Sequence, residues 1–440
     1  MKQERRKLNL FDSCSLMIGV VIGAGIFESA PIIARQFPDI VSFYMIWLIG
    51  GVLSLAGALC YVELATVYPE DGGDYAYLRR TYGNLFGFLF AWSKVLIIRP
   101  GSIAAMSFPF ATYFNSFLEE VFGIYDTNVL LIAMGVVLFF SIINCFELNS
   151  SKKVQNIISV AKIVGLLIII SLGLLSFDLP IVESVNVLPD QLYIDNIGLA
   201  LILVLFTFGG WSELAYVATE VKNPEKNIFR ALFFGTLIIS VLYILVNYAF
   251  ISILGHNGVA SSTAVATDAV RAVFPAYASI FVSLLICVSV AGALDGLIFT
   301  GGRLCSAFAK EYSKTKAFSL FAVNKTAPVN AVIFQCIISE LIIILTGSFD
   351  RTLIYTSAVV WFFYLTIGIS LFISRRKYPT KFQTSKATLY PWTMVVFCLS
   401  SIYLTYSSVM YDFKGTLIAF TLVASGIPVY FFVKQKRESL

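Results

Sequence analysis

Two glycine clusters interrupt apolar runs that would otherwise read as continuous helix. Gly23-Ala24-Gly25 lies near the middle of 10–36, and Phe208-Gly209-Gly210-Trp211 lies within 196–218. Glycine lacks a Cβ, so it weakens a helix and lets a ligand approach the main chain. Unwound backbone at membrane depth is tolerated only where its N–H and C=O groups face protein, a cavity or a ligand. A half-helix beginning after Gly25 presents the positive end of its dipole, which suits a carboxylate. Carbonyls released around Val21, Ile22, Phe206, Thr207 and Gly209 suit an ammonium group. Val21, Ile22, Gly23, Ala24, Gly25 and Ile26 on one run, with Phe206, Thr207, Phe208 and Gly209 on the other, therefore predict a cradle for the invariant end of an α-amino acid. The cradle needs no charged side chain. The competing reading is that each cluster serves close helix packing. Two breaks at corresponding places, five runs apart, favour unwinding.

Charged residues inside the runs are few. Lys162 lies about nine residues beyond Lys153, roughly 13 Å along a helix. An ionisable group at that depth marks function by default, so its ammonium is expected against the unwound part of the first run, as a coupling or structural cation. Snorkelling to the interface is the alternative. Lys94 and Arg99 share the third run, where two readings stand for either, facing the bundle or pairing with Glu63, Glu213 or Asp295; the sequence does not choose among these. For Asp295, a structural role and contact with a substrate side chain stand even. Glu63 and Tyr61 are expected to organise an inner gate. Trp47, Trp92, Trp361 and Trp392 read as lipid-facing or interfacial belts. The lone histidine, His256, falls in an expected outer loop, and none of the seven cysteines forms a CxxC pair. No catalytic set, metal site or cofactor is therefore expected, and the chain does not read as an enzyme.

The elements that must position these residues follow from hydropathy. The 440-residue chain is 58% hydrophobic and 13% charged, about half the charge a soluble surface carries. Apolar runs recur over 10–36, 41–67, 84–113, 127–147, 154–176, 196–218, 229–254, 275–308, 329–347, 352–374, 390–410 and 414–433. In lipid such runs are helices, giving an all-α polytopic membrane protein of about twelve spans. The basic N-terminus is not a signal peptide, because the apolar run after it is too long and no cleavage site follows. Lys and Arg alternate strongly between loops. Arg79, Arg80, Lys222, Lys226, Arg230, Arg375 and the C-terminal Lys434, Lys436 and Arg437 fall on one side, against Arg35, Arg271, Arg351 and Lys414 on the other. That bias predicts two cytoplasmic termini in a cell membrane. No soluble signalling domain fits between the runs, which argues against a receptor, and no basic stripe interleaves with aromatics as nucleic-acid binding would require.

Val20-Val21-Ile22-Gly23-Ala24-Gly25-Ile26-Phe27 resembles the first-helix signature of the amino acid–polyamine–organocation family. Tyr68-Pro69-Glu70-Asp71-Gly72-Gly73-Asp74-Tyr75-Ala76-Tyr77 is similar to its proline–Gly-Gly–tyrosine loop. Leu96-Ile97-Ile98-Arg99-Pro100-Gly101-Ser102, Phe208-Gly209-Gly210-Trp211 and Glu220-Val221-Lys222-Asn223-Pro224 resemble the L-type amino acid transporter subgroup. The resemblance implies a LeuT-like five-plus-five inverted repeat with helices 1 and 6 unwound. Its first repeat is 10–176, its second 196–374, and 390–433 holds two additional helices. The repeat shows in the pattern of breaks, not in residue identity. The resemblance also implies sodium-independent exchange of neutral L-amino acids. Gly23, Ala24 and Gly25 match the carboxylate-binding segment, Val21, Phe206 and Gly209 the amine-binding positions, and Phe206 the aromatic gate. Lys162 would stand where sodium sits in sodium-coupled relatives. Ala24 replaces a serine common in relatives, and Lys94 stands where many carry an acid. The stretch 115–128 lacks the cysteine that links animal L-type transporters to a heavy subunit, so no disulfide-linked partner is expected. The alternatives are a proton-coupled symporter and a polyamine or cationic amino acid carrier.

Overall fold

The computed structural model describes residues 9–68, 73–125, 127–146, 152–175, 194–212, 214, 221–274, 276–312, 328–382 and 389–438. Eight helices among these are long and apolar enough to cross a membrane, and four shorter apolar helices fall on the remaining expected spans. The protein is an all-α polytopic membrane protein.

The first run is two helices, α1 (Leu10–Val21) and α2 (Gly25–Gln36). Asn9 and Asp12 form a reciprocal capping box at the start of α1, satisfying two donors that a helix start leaves orphaned. α3 (Ile40–Val67) is capped by Asp39, which accepts from Ser42 N at 2.8 Å. A short helix α4 (Asp74–Tyr82) leads into the third span. That span is α5 (Asn84–Ser93), a π-helical turn at Lys94–Ile98, and α6 (Arg99–Phe122), which extends nine residues past the expected end at 113. It stops at Gly123, whose φ of +63° closes the helix in the left-handed region open to glycine.

α7 (Val129–Cys145) and α8 (Lys152–Leu175) follow. α9 (Ile194–Thr207) stops in the middle of the sixth expected span. α10 (Pro224–Ser261) kinks at Gly255, and the short α11 (Val265–Val273) packs against it. α12 (Ala276–Glu311), α13 (Val329–Thr346), α14 (Phe349–Lys377), α15 (Trp392–Tyr411), α16 (Phe413–Ala424) and α17 (Gly426–Glu438) complete the chain. The expected loop at 69–72, most of 177–195 and Glu213 lie outside the described residues.

Small residues set the crossings. Lipid tails are as apolar as the core, so helices associate where backbones approach closely. A Cβ on Gly50 would lie 2.2 Å from Val204 Cγ1, and one on Gly101 would lie 2.1 Å from Thr356 Cγ2. α3 is thereby pressed onto α9, and α6 onto α14. α1, α2 and α3 pack on α10, while α6, α7, α12 and α13 pack on one another.

Gly101→Ala is expected to destabilise the protein by about 1–3 kcal/mol, because β-branched Thr356 has little rotamer freedom to retreat. Gly135, which has nothing within 4 Å of its Cβ position, should accept alanine with a change of about 1 kcal/mol or less, on the stabilising side. Thermal unfolding of the two variants in one detergent checks the contrast.

Candidate functional site

Both breaks foreseen on the glycines are present, and the structure brings them together. α1 makes its last bond from Ile22 N to Ile18 O at 2.9 Å, and Ile22 then turns extended (φ −71°, ψ 93°). Helical bonding resumes from Phe27 N to Ala24 O at 3.0 Å. The amides of Gly25 and Ile26, at the positive end of α2, find no backbone acceptor among the described residues. In the second break Phe208 N bonds Val204 O at 2.9 Å, and Gly209 N closes a tight turn onto Phe206 O at 2.8 Å. Gly210 then takes φ +109°, a backbone conformation that side chains rarely adopt.

Gly25 is what lets the breaks meet. A Cβ there would lie 3.0 Å from Thr207 Oγ1 and 3.2 Å from Thr207 Cα. One turn on, the Ser29 and Thr207 hydroxyls are 3.0 Å apart. Tyr243 on α10 holds both ends: its hydroxyl donates to Val21 O (3.0 Å) and Thr207 O (3.1 Å), sharing one proton between the two carbonyls. The carbonyls expected to suit an ammonium group are thus already part-occupied. Those of Val21, Thr207 and Phe206 have donors within the protein, though each carbonyl keeps a second lone pair. Tyr243 and Ser29 were not picked out from sequence. The available signal was a phenol in mid-run, because a buried tyrosine hydroxyl requires a partner.

The aromatic candidates separate. Phe206 is half-buried and packs edge-on against Phe349 at the start of α14, with ring centroids 5.8 Å apart. Phe208 is buried edge-on against Tyr243 at 5.0 Å and abuts Gly50 and Gly51. Its side chain therefore belongs to the α3–α9–α10 packing and not to a cradle. Val21, Ile22, Ala24 and Ile26 are buried at the first break.

Lys162 lines a cavity of about 270 Å³ together with Ile22, Gly23 and Phe27, so the expected neighbour of the unwound segment does share a wall with it. The other walls come from α8, α11 and α12. Neither Thr207 nor Phe206 lines the cavity. A void of about 20 Å³, room for about one water, adjoins Gly209 and Trp211.

Glu63, Arg79, Asp295 and Lys94 find structural partners. Glu63 is buried and ion-paired with Arg375, whose Nε donates at 2.8 Å, joining α3 to α14. Tyr61 packs edge-on to Trp211 at 4.9 Å. Arg79 meets Glu311 at 3.0 Å, and Tyr75 donates to the same carboxylate at 2.9 Å. Asp295 accepts from Asn144 at 2.7 Å, in the contact between α7 and α12. Lys94 is buried in the π-helical turn, with its ammonium 5.6 Å from the Phe90 ring centroid. His256 is not in a loop: it sits in α10 just past the Gly255 kink, buried, with Nε2 3.0 Å from Ala34 O. Trp47 and Trp361 are buried, against the belt expectation, whereas Trp392 is exposed. Glu28 was overlooked; it lies beside Thr112, and its Oε1 is buried without a hydrogen-bond partner.

A family model described as amino acid permease matches residues 8–429. The chain is 29% identical over 438 residues to the serine/threonine exchanger SteT of Bacillus subtilis, covering 99% of this chain and 98% of that protein. It is 31% identical over 380 residues to the human b(0,+)-type amino acid transporter 1, covering 84% and 76% respectively. It is 27% identical over 434 residues to the human large neutral amino acids transporter small subunit 2, covering 97% and 80%.

Tyr243→Phe removes the one donor shared by the two breaks and leaves buried carbonyls short of a partner. The expected cost is about 1–3 kcal/mol of stability, measured as a fall in the thermal unfolding midpoint. An unchanged midpoint would mean that water or another donor already serves those carbonyls.

Proposed function

This chain belongs to the amino acid permease family, and from that premise we propose that it exchanges neutral L-amino acids by alternating access, without sodium. The observation that carries this is the meeting of two broken helices at Gly25 and Thr207, with the amides of Gly25 and Ile26 lacking a backbone acceptor among the described residues. Two orphan donors at a helix N-terminus fit a carboxylate. The carbonyls of Val21, Phe206, Thr207 and Gly209, through their remaining lone pairs, fit the α-ammonium. Gly23, Ala24 and Ile22 supply the approach, and Phe206 against Phe349 forms the outer gate. Serine/threonine exchange by the Bacillus subtilis relative and transport of large neutral amino acids by the human one support a neutral substrate and exchange.

In this proposal the chain forms a five-plus-five inverted repeat, 10–176 and 196–374, followed by the two additional helices of 390–433. It lies in the cell membrane with both termini cytoplasmic and works without a disulfide-linked heavy subunit. Glu63–Arg375 and Arg79–Glu311 close the inner side. Removing one partner of a buried pair such as Glu63–Arg375 leaves an uncompensated charge, so closure there is tied to both residues. Lys162 stands in for a diffusible cation beside the unwound helix. Its place on the cavity wall with Gly23 also supports a second reading, in which a proton on Lys162 couples uptake to a pH gradient.

Counterflow in proteoliposomes separates these. Uptake of labelled serine, threonine or leucine should require unlabelled amino acid inside and ignore both sodium and a pH gradient. Uptake into empty vesicles driven by inside-alkaline pH would favour the symporter. Lys162→Ala should abolish counterflow while the folded protein is retained, and full activity in that variant would remove the cation role.

A further inference from the structure

The cavity beside the first break is also open to the outside of the protein, sideways. Its inner wall is buried: Leu166 is 2% exposed and Ile169 3%, with Ile22 and Phe27 behind them. Its rim is not: Ile168 is 47% exposed and Phe281 61%, and both line the same space. They belong to the apolar surface of α8 and α12 that includes Val164, Leu167, Leu284 and Val288, a surface that in a membrane meets lipid tails.

The way α8 is held explains the opening. At Gly165 it is pressed against α12, where a Cβ would lie 2.6 Å from Leu285 Cδ2. Eight residues further on, about 12 Å along the axis, it is pressed instead against α10. A Cβ on Gly173 would lie 2.3 Å from Ala249 Cα there, and Ser252 donates to Gly173 O at 3.1 Å. α8 thus changes its close partner along its length, and Val270 and Phe274 of the α11 region bound the slot. The lining is apolar except for Ser289 and Lys162, and the lysine's methylene stem is itself apolar.

We propose that this slot is a lipid site: one acyl chain of a bilayer phospholipid enters between α8 and α12 and lies against Ile22, Gly23 and Phe27 of the broken helix. The occupant follows from the continuity of the slot with the lipid-facing surface and from its apolar walls. At about 270 Å³ it is far larger than the void that a single water fills, and apart from Ser289 and Lys162 its lining side chains offer water no hydrogen bond. The chain tip fills the space behind the break, so the break moves only as the tip moves. This holds whatever substrate the protein carries, and the test below does not involve transport.

The experiment uses the full-length protein in phosphatidylcholine vesicles containing a phosphatidylcholine with a diazirine near the end of one acyl chain. After photolysis, labelled peptides are mapped by mass spectrometry. The expected result is label on buried Leu166, Ile169 and Phe27, as well as on the rim at Ile168 and Phe281. Ser289→Trp, which fills the slot, should cut the buried label several-fold and leave the rim label unchanged. Label confined to outward side chains, matching that at Leu399 and Ile402 on the far lipid-facing helix, overturns the proposal. That result is read on the unmutated protein and does not depend on the variant folding.

Discussion

A backbone inside a bilayer has no water to fall back on, and every helix broken there must find partners for its freed amides and carbonyls. Among the described residues the first and sixth spans break at glycine clusters, and one phenol serves the carbonyl ends of both. Tyr243 donates to Val21 and Thr207 across 222 and 36 residues of sequence separation respectively. With Gly25 seated on Thr207 and Ser29 bonded to it, the breaks are one joint rather than two independent defects. The amide side of that joint, at Gly25 and Ile26, has no such internal partner among the described residues. The asymmetry gives the site its character: acceptors are partly used up by the protein, and donors are left over. A ligand that carries its own acceptor, a carboxylate, complements it.

Around the joint, packing is set by small residues and sealed by ion pairs. Gly50, Gly51 and Gly101 bring backbones together where lipid gives no hydrophobic reason to associate. Glu63 and Arg375 place a buried ion pair between α3 and α14. Such a pair adds little net stability but costs several kcal/mol when half of it is lost, which suits a contact that must be made or broken as a unit. Lys162 lies apart from this machinery, on the cavity behind the first break.

The helical architecture was legible because apolar runs of membrane length admit only one backbone solution. The breaks at Gly23–Gly25 and Phe208–Gly210 were legible because glycine is the residue that gives way. Which side of a helix faces protein was not. Trp47 and Trp361 read as belt residues and are buried, since in a membrane helix the lipid face and the core face are equally apolar. His256 read as a loop residue because the kink at Gly255 looks like a helix end, yet the helix resumes beyond it. Tyr243 is one of 22 tyrosines, and its place in mid-run says that its hydroxyl needs a partner but not which one; its role depends on two carbonyls that only the tertiary fold brings within reach.

The account rests on a main chain that holds a zwitterion where the two helices part. A structure of the protein saturated with a transported amino acid tests this most directly. The account predicts the carboxylate within hydrogen-bonding distance of the Gly25 and Ile26 amides, with the ammonium on carbonyls of the second break. An amino acid bound away from both breaks, or held there by charged side chains with those amides still unbonded, would contradict it.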